Sequence, residues 1–113
     1  MDRRLSDPAA VIAARLAALW QTSRPSILER VAALHTAHDA LWRNPEDVEA
    51  RVQGREAAHK LSGVLGVFGL PEGSQLAFTM ESLLMSGNPL SNEDVMWLGE
   101  QIAALDAVIA AKG

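Results

Sequence analysis

Apolar residues recur at helical spacing along the chain, and this periodicity constrains the fold more than any other feature of the sequence. Near the C-terminus the spacing is three, four, three and four residues across Val95, Leu98, Ile102, Leu105 and Ile109. Such spacing places the side chains on one face of a helix. No segment shows the polar–apolar alternation of a half-buried strand, so the sequence predicts an all-α protein.

Proline and short polar residues divide this pattern into separate helices. Asp7 and Pro8 form one helix start, because aspartate caps the helix and proline tolerates its first position. Further starts are predicted at Ser26, Asn44, Pro71 and Ser91. Short loops between helices of similar length indicate antiparallel neighbours. We therefore expect one domain over residues 1–113, in which an antiparallel four-helix bundle over about 24–112 carries a shorter N-terminal helix, about 7–21, packed against it.

Several side chains of the first, second and last predicted helices are expected to be buried. The apolar stripe of the N-terminal helix consists of Ile12, Leu16, Leu19 and Trp20. We expect Trp42 and Trp97 to pack in the core or at its edge rather than to form a binding platform. We expect His35 and His38 to be ordinary helix residues, with His38 partly buried and its hydrogen bonds satisfied.

The composition excludes several classes of function. The chain of 113 residues has no cysteine and a formal net charge of −4. It therefore has no disulfide, thiolate metal site or cysteine nucleophile, and it is not a strongly basic nucleic-acid binder. Its longest uncharged apolar stretch, residues 64–70, is far shorter than the roughly 20 residues of a membrane-spanning helix. We expect a cytoplasmic protein that binds neither nucleic acid nor membranes. The sequence leaves its oligomeric state open: a monomer is favoured, and a subunit contact through exposed valines is the alternative.

His59 is the residue whose position suggests chemistry. On a helical wheel it lies opposite the apolar face of the third predicted helix, so its ring is expected to point into solvent. Gly63 and Gly66 lie on the same side, where an interior glycine costs about 1 kcal/mol relative to alanine and no core packing explains it. We expect these glycines to clear space for a large partner, with Val52 as an apolar docking contact.

Two cations flank this histidine. Arg55 and Lys60 would let the His59 ring meet an anionic group. Histidine changes its protonation near neutral pH, so a fraction of it is neutral and nucleophilic there. The same two cations are also consistent with a solvated basic edge of the helix, and Glu81 with an ordinary surface ion pair.

The residues around His59 form a recognisable pattern. Its members are Ala57-Ala58-His59-Lys60-Leu61-Ser62-Gly63, Gly69, Leu76-Ala77 and Met80-Glu81. This pattern resembles the histidine-containing phosphotransfer (HPt) domain, a family that relays phosphoryl groups in multistep two-component signalling. The resemblance is dense between about Arg55 and Leu84, and outside that window only the number and lengths of the helices agree.

The resemblance implies a role for several residues. His59 would be the phosphoacceptor, and Glu81 would contact its Nδ1, which leaves Nε2 as the nucleophile. The partner-binding surface would include Val52, Glu56, Gly63 and Gly66. The phosphoryl group would come from the phosphoaspartate of a receiver domain and pass to another receiver.

The resemblance also implies the partners and the cofactor requirement. Response-regulator receiver domains and a sensor or hybrid histidine kinase would be the partners. The chain itself is expected to bind no cofactor, and Mg²⁺ is expected on the receiver. Without a glycine-rich phosphate loop or an ATP-binding domain, the chain is not expected to be a kinase by itself.

The sequence departs from the family pattern at two positions. The family usually has a lysine three residues after the histidine, where this chain has Ser62. The phosphoryl environment would then rest on Arg55, Lys60 and Ser62. Gly73 stands where a leucine is common, so the helix near it is expected to start more loosely or to be shifted. The alternative function is therefore a degenerate HPt domain that binds receivers without efficient transfer.

A rival from another class is a di-metal carboxylate enzyme built in a helical bundle. Glu56 and His59 have the Glu-x-x-His spacing that such bundles use. That chemistry needs a second Glu-x-x-His and two further inward glutamates, and the sequence has no second copy of the motif. The predicted outward direction of His59 also argues against a metal site in the core.

Overall fold

The computed structural model describes residues 7–113, and in this range the chain forms four α-helices and no strand. Their bounds are α1 Pro8–Arg43, α2 Val48–Val67, α3 Pro71–Met85 and α4 Asn92–Lys112. Each helix packs against the next, and α4 packs back against α1, so the helices close into a bundle. The prediction of an all-α four-helix bundle is confirmed.

Aliphatic side chains from all four helices form one core. The fully buried members with the largest volumes include Ile27, Leu34, Leu41, Leu61, Leu65, Met80, Leu98, Ile102 and Leu105. The five apolar residues that repeat at helical spacing in α4 are all buried, as their periodicity predicts. Within residues 7–113, every helix is too short or too polar to traverse a lipid bilayer.

The first helix is continuous over 36 residues, so the predicted break between residues 21 and 24 is wrong. Asp7 caps this helix as predicted, because its Oδ1 accepts a hydrogen bond from the Ala9 amide at 3.0 Å. Pro25 lies inside the helix, where a proline removes one backbone hydrogen bond. A full break would cost more, since each new helix end leaves four backbone groups without intrahelical partners. Ser26 therefore lies in the helix interior instead of capping a new helix.

The N-terminal part of α1 projects beyond the bundle, and the molecule measures 63 × 21 × 20 Å. Trp20 is buried as predicted. The rest of its predicted stripe remains exposed, namely Ile12, Leu16 and Leu19. The C-terminal end of α4 lies level with this point of α1, because the side-chain amide of Gln21 donates to the Gly113 carbonyl at 3.2 Å. The expectation of a short helix packed against the bundle is therefore wrong for the residues that precede Trp20.

The other two tryptophans differ in their burial. Trp97 is half-buried and packs against the core, as predicted. Trp42 is 59% exposed, so the prediction that it packs in the core is wrong. Leu41, its neighbour in the chain, occupies the core position in this turn of α1, and consecutive helical residues point about 100° apart.

The two histidines of α1 make contacts with α4. His38 is half-buried, and its Nε2 donates a hydrogen bond to the Val95 carbonyl at 3.1 Å, as expected for a satisfied core-edge histidine. His35 Nε2 lies 2.8 Å from a carboxylate oxygen of Asp106. Both histidines therefore link α1 to α4, away from His59.

The second helix begins later than the sequence suggests. Asp47 is its cap and accepts from the Ala50 amide at 3.0 Å, whereas Asn44 ends α1. The predicted start at Asn44 is wrong, because that side chain accepts from Glu46 in the turn between the helices. Gly69 follows the end of α2 with φ of +71°, a conformation that favours glycine at a helix C-terminus.

The third helix begins at Pro71 and packs closely on its neighbours. A Cβ added at Gly73 would lie 3.2 Å from Leu65 Cδ1 and 3.3 Å from Val108 Cγ1. Gly73 therefore allows a close approach of α3 to α2 and α4, and the expectation of a loose or shifted start at this glycine is wrong. A leucine at this position would push the helices apart.

Polar contacts fix both ends of α3 against α2. The Ser74 hydroxyl donates to the Ser62 carbonyl at 2.7 Å near the start of α3. At its other end, Arg51 Nε donates to the Leu84 carbonyl at 2.9 Å, and Nη1 donates to the Asn88 carbonyl at 2.7 Å. The bond to Leu84 satisfies a carbonyl that the C-terminal end of α3 leaves without an intrahelical partner. The register of α3 on α2 is therefore fixed at two separated points.

The contrast between the core and the projecting part of α1 is testable by truncation of one leucine in each. We expect Leu61→Ala, at a fully buried position, to lower the free energy of unfolding by about 2–5 kcal/mol. Leu19 is 53% exposed, and we expect Leu19→Ala to cost less than about 1 kcal/mol. Urea denaturation followed by circular dichroism measures both; equal losses would mean that the N-terminal part of α1 is packed.

Candidate functional site

His59 projects from the middle of α2 into solvent. Its side chain is 76% exposed, whereas Ala58 and Leu61 on either side of it along the chain are fully buried. The helix turns its apolar face into the bundle, so the imidazole must point outward. The outward direction follows from the same periodicity that buries the core residues.

Glu81 of α3 holds one side of the imidazole. His59 Nδ1 lies 2.5 Å from Glu81 Oε2, and the glutamate side chain is only 12% exposed. An ionised carboxylate only accepts hydrogen bonds, so Nδ1 is the donor in this contact. In the neutral ring this leaves the lone pair on Nε2, which is the exposed nitrogen available for chemistry. The pairing that the family resemblance implies is therefore present in the geometry.

A shallow depression surrounds this pair of residues. Besides His59 and Glu81, it is lined by Arg55, Glu56, Lys60 and Met85. Neither Arg55 nor Lys60 forms an ion pair within 4 Å in the part of the chain that the structure describes. Both cations are therefore free to interact with an anionic group brought to His59.

The remaining residues singled out from the sequence lie outside this lining. Gly63, one turn further along α2, is the most informative: a Cβ added there would meet no atom within 4 Å. Gly66 is exposed as well, and a Cβ added there would make an ordinary van der Waals contact at 3.6 Å with Ser74 Oγ of α3. Gly63 therefore leaves open space one turn from the imidazole, and Gly66 is exposed beside the start of α3.

Ser62 and Val52 are both half-buried. The Ser62 carbonyl is engaged by Ser74, and the residue does not line the depression at His59. Val52 offers less apolar surface than the helical wheel suggests. These positions are near the site along α2, but the ring is contacted by Glu81, and the depression around it is lined by Arg55 and Lys60.

Sequence reasoning missed two apolar residues on the adjacent face of α3. Phe78 is 50% exposed and Met85 is 60% exposed. They lie three residues before and four residues after Glu81, so all three share one face of the helix. The periodicity of α3 contained this signal, because neither residue belongs to the buried stripe that includes Met80. This exposed apolar pair flanks the glutamate that contacts His59.

The di-metal arrangement does not form around Glu56 and His59. Within residues 7–113, no group of three or more histidine, aspartate, glutamate or cysteine side chains is placed to share a metal ion. The exposure of His59 also differs from the inward direction that a metal centre in a bundle core requires.

Comparison with known proteins gives one match. A family model described as the Hpt domain matches residues 15–111, which is most of the chain and includes all four helices in whole or in part. No curated protein sequence and no solved structure is significantly similar to the chain. The family match rests on the sequence, and the residues that it covers include the whole of α2, from which His59 projects.

The contact between His59 and Glu81 predicts which nitrogen of the neutral ring carries the proton. We expect the neutral imidazole to carry its proton on Nδ1, and Glu81→Ala to shift the population toward the Nε2-protonated tautomer, because the acceptor is lost. Two-bond ¹H–¹⁵N correlation spectra of the ring distinguish the two tautomers when they are recorded at a pH at which the ring is neutral. His35, which contacts Asp106 through Nε2, is an internal control whose spectrum should not change.

Proposed function

Because the chain belongs to the Hpt domain family, whose members take part in phosphotransfer in two-component signalling, we propose that it is a phosphorelay intermediate. His59 accepts a phosphoryl group from the phosphoaspartate of one receiver domain and passes it to the aspartate of another. The observation that carries this proposal is the exposed imidazole with Nδ1 bound to Glu81 and with open space at Gly63.

The transfer is a displacement at phosphorus. The lone pair of His59 Nε2 attacks in line, the N–P bond forms, and the bond between phosphorus and the aspartyl oxygen breaks, so that the receiver regains its carboxylate. The ring becomes positively charged during attack, and Glu81 Oε2 stabilises this charge through the hydrogen bond from Nδ1. The reverse sequence of bond changes delivers the group to the second receiver.

The receiver supplies the remaining charge stabilisation in this proposal. Mg²⁺ bound to the receiver neutralises phosphoryl oxygens, as is general in phosphoryl transfer. On this chain, Arg55 is the cation best placed to assist, because it lies one turn before His59 on the same helical face and lines the same depression. It takes the place of the lysine that the family usually has at the position of Ser62.

The receiver docks on the exposed surface around the ring. Phe78 and Met85 of α3 provide apolar contact area beside Glu81. The open space at Gly63 admits the receiver's active-site loops to Nε2. The chain thus contributes a positioned nucleophile and a docking surface, while the receiver contributes the metal ion.

The decisive test is transfer from purified receiver domains that carry a ³²P-phosphoaspartate. We expect the wild-type chain to acquire an acid-labile, alkali-stable label, and His59→Gln to acquire none. His35→Gln is the matched control and should be labelled like the wild type, because that ring lies on the α1–α4 side. Stable binding of receivers without any label on the wild type would instead identify the degenerate, binding-only form of the domain.

The role of Gly63 is tested by filling the space beside the ring. We expect Gly63→Gln to fold as stably as the wild type, because no atom lies within 4 Å of the new Cβ and an interior helical glycine is replaced. Transfer from a receiver should nevertheless fall by about a hundredfold, since a small misplacement of the reacting groups is enough for such a loss. Transfer at the wild-type rate would mean that the receiver does not approach across Gly63.

Truncating each of the two cations at the depression singly distinguishes their contributions to the transfer rate. We expect Arg55→Ala to slow transfer by about tenfold, equivalent to about 1.4 kcal/mol of transition-state stabilisation. Lys60→Ala should slow it by less than about threefold, because Lys60 points about 100° away from His59 around the helix. Single-turnover rates at saturating receiver measure both; equal rates for both variants and the wild type would remove the cations from the mechanism.

A further inference from the structure

A second groove lies next to the His59 depression, between α1 and α2. Its lining includes Glu29, Arg30 and Ala33 from α1 and Glu56, Ala57 and Lys60 from α2. Glu56 and Lys60 also line the depression at His59, so the two surfaces are continuous. A partner that covers the imidazole can therefore extend directly onto this groove.

The groove matters because a docked domain needs more contact area than the His59 depression supplies. A specific protein–protein interface typically covers about 800 Å² on each partner, which involves roughly 20–30 residues per side. The depression at His59 is lined by few residues and supplies only part of such an area. The groove between α3 and α4, which includes Leu70 and Val108, shares no lining residue with the depression in the described chain. Of these two grooves, the one between α1 and α2 therefore extends the recessed surface at His59, and the one between α3 and α4 does not.

The charges of this groove are free to pair with a partner. In the described part of the chain, none of Glu29, Arg30, Glu56 and Lys60 forms an ion pair within 4 Å. Each of the two helices contributes an acidic and a basic residue to the groove, and its lining also includes alanines from both helices. Unpaired surface charges add little to folding stability. Across an interface, complementary charges determine partner choice and the association rate.

Resting on the proposed function, we infer that Glu29 and Arg30 select the receiver domain by charge. These residues lie on α1 and do not line the depression that contains His59. They therefore act on association and not on the reactivity of the imidazole. The fitting receiver carries a cation opposite Glu29 and an anion opposite Arg30, beside its phosphorylated aspartate.

The test separates association from chemistry by using two phosphoryl donors. Phosphoramidate, a small donor that needs no docking surface, should label His59 at the same rate in the wild type, Glu29→Lys and Arg30→Glu. The second donor is the receiver domain that transfers fastest to the wild type among a panel phosphorylated with acetyl phosphate. At low salt and subsaturating receiver, we expect one or both charge reversals to lower this transfer rate by about tenfold, and added salt to narrow the difference.

Glu100→Lys makes the same change in net charge as Glu29→Lys and is the matched control for that variant. Glu100 lies in the groove between α1 and α4, away from the His59 depression. The Glu100→Lys variant should therefore accept the phosphoryl group at a rate within about twofold of the wild type. If both Glu29→Lys and Arg30→Glu also remain within twofold of this control, charge selection by the groove is wrong while the relay function stands. If no receiver labels the wild type although phosphoramidate does, the proposed function itself fails, and charge selection fails with it.

Discussion

The contact between His59 Nδ1 and Glu81 Oε2 is the interaction on which the site depends. It joins two helices, so it exists only when α3 has one particular register on α2. That register is fixed by the close approach at Gly73, by the bond from Ser74 to the Ser62 carbonyl and by Arg51 at the other end of α3. A core that holds its helices rigidly is thus the condition for an oriented imidazole on the surface.

The surface around this contact is open and bears charged and apolar groups without partners in the described chain. His59 stands clear of its own helix beside Gly63, two cations lie next to it, and Phe78 and Met85 expose apolar area on α3. Such a surface does not exclude water and cannot enclose a small substrate. In the proposed relay, a second protein completes the chemistry by bringing both the phosphoryl group and the low-dielectric surroundings.

Much of the site could be predicted because it follows from helical geometry. The exposure of His59 required only that the leucines of α2 face inward, and the free space at Gly63 required only that a glycine lie one turn away. The apolar pair on α3 was also present in the periodicity, since Phe78 and Met85 share the face of Glu81. Ser62 could not be placed in this way, because its carbonyl is engaged by Ser74 on another helix.

The sequence alone determined the fold class, the helix starts at Asp7, Pro71 and Ser91, and the side of α2 from which His59 projects. These are local properties: side-chain periodicity and capping act within one or two turns of helix. Tertiary structure alone decided that α1 continues through Pro25, that Ile12 and Leu19 stay exposed, and that Glu81 reaches the imidazole. A periodic pattern shows which face of a helix is apolar, but whether another helix covers that face depends on where every other helix ends.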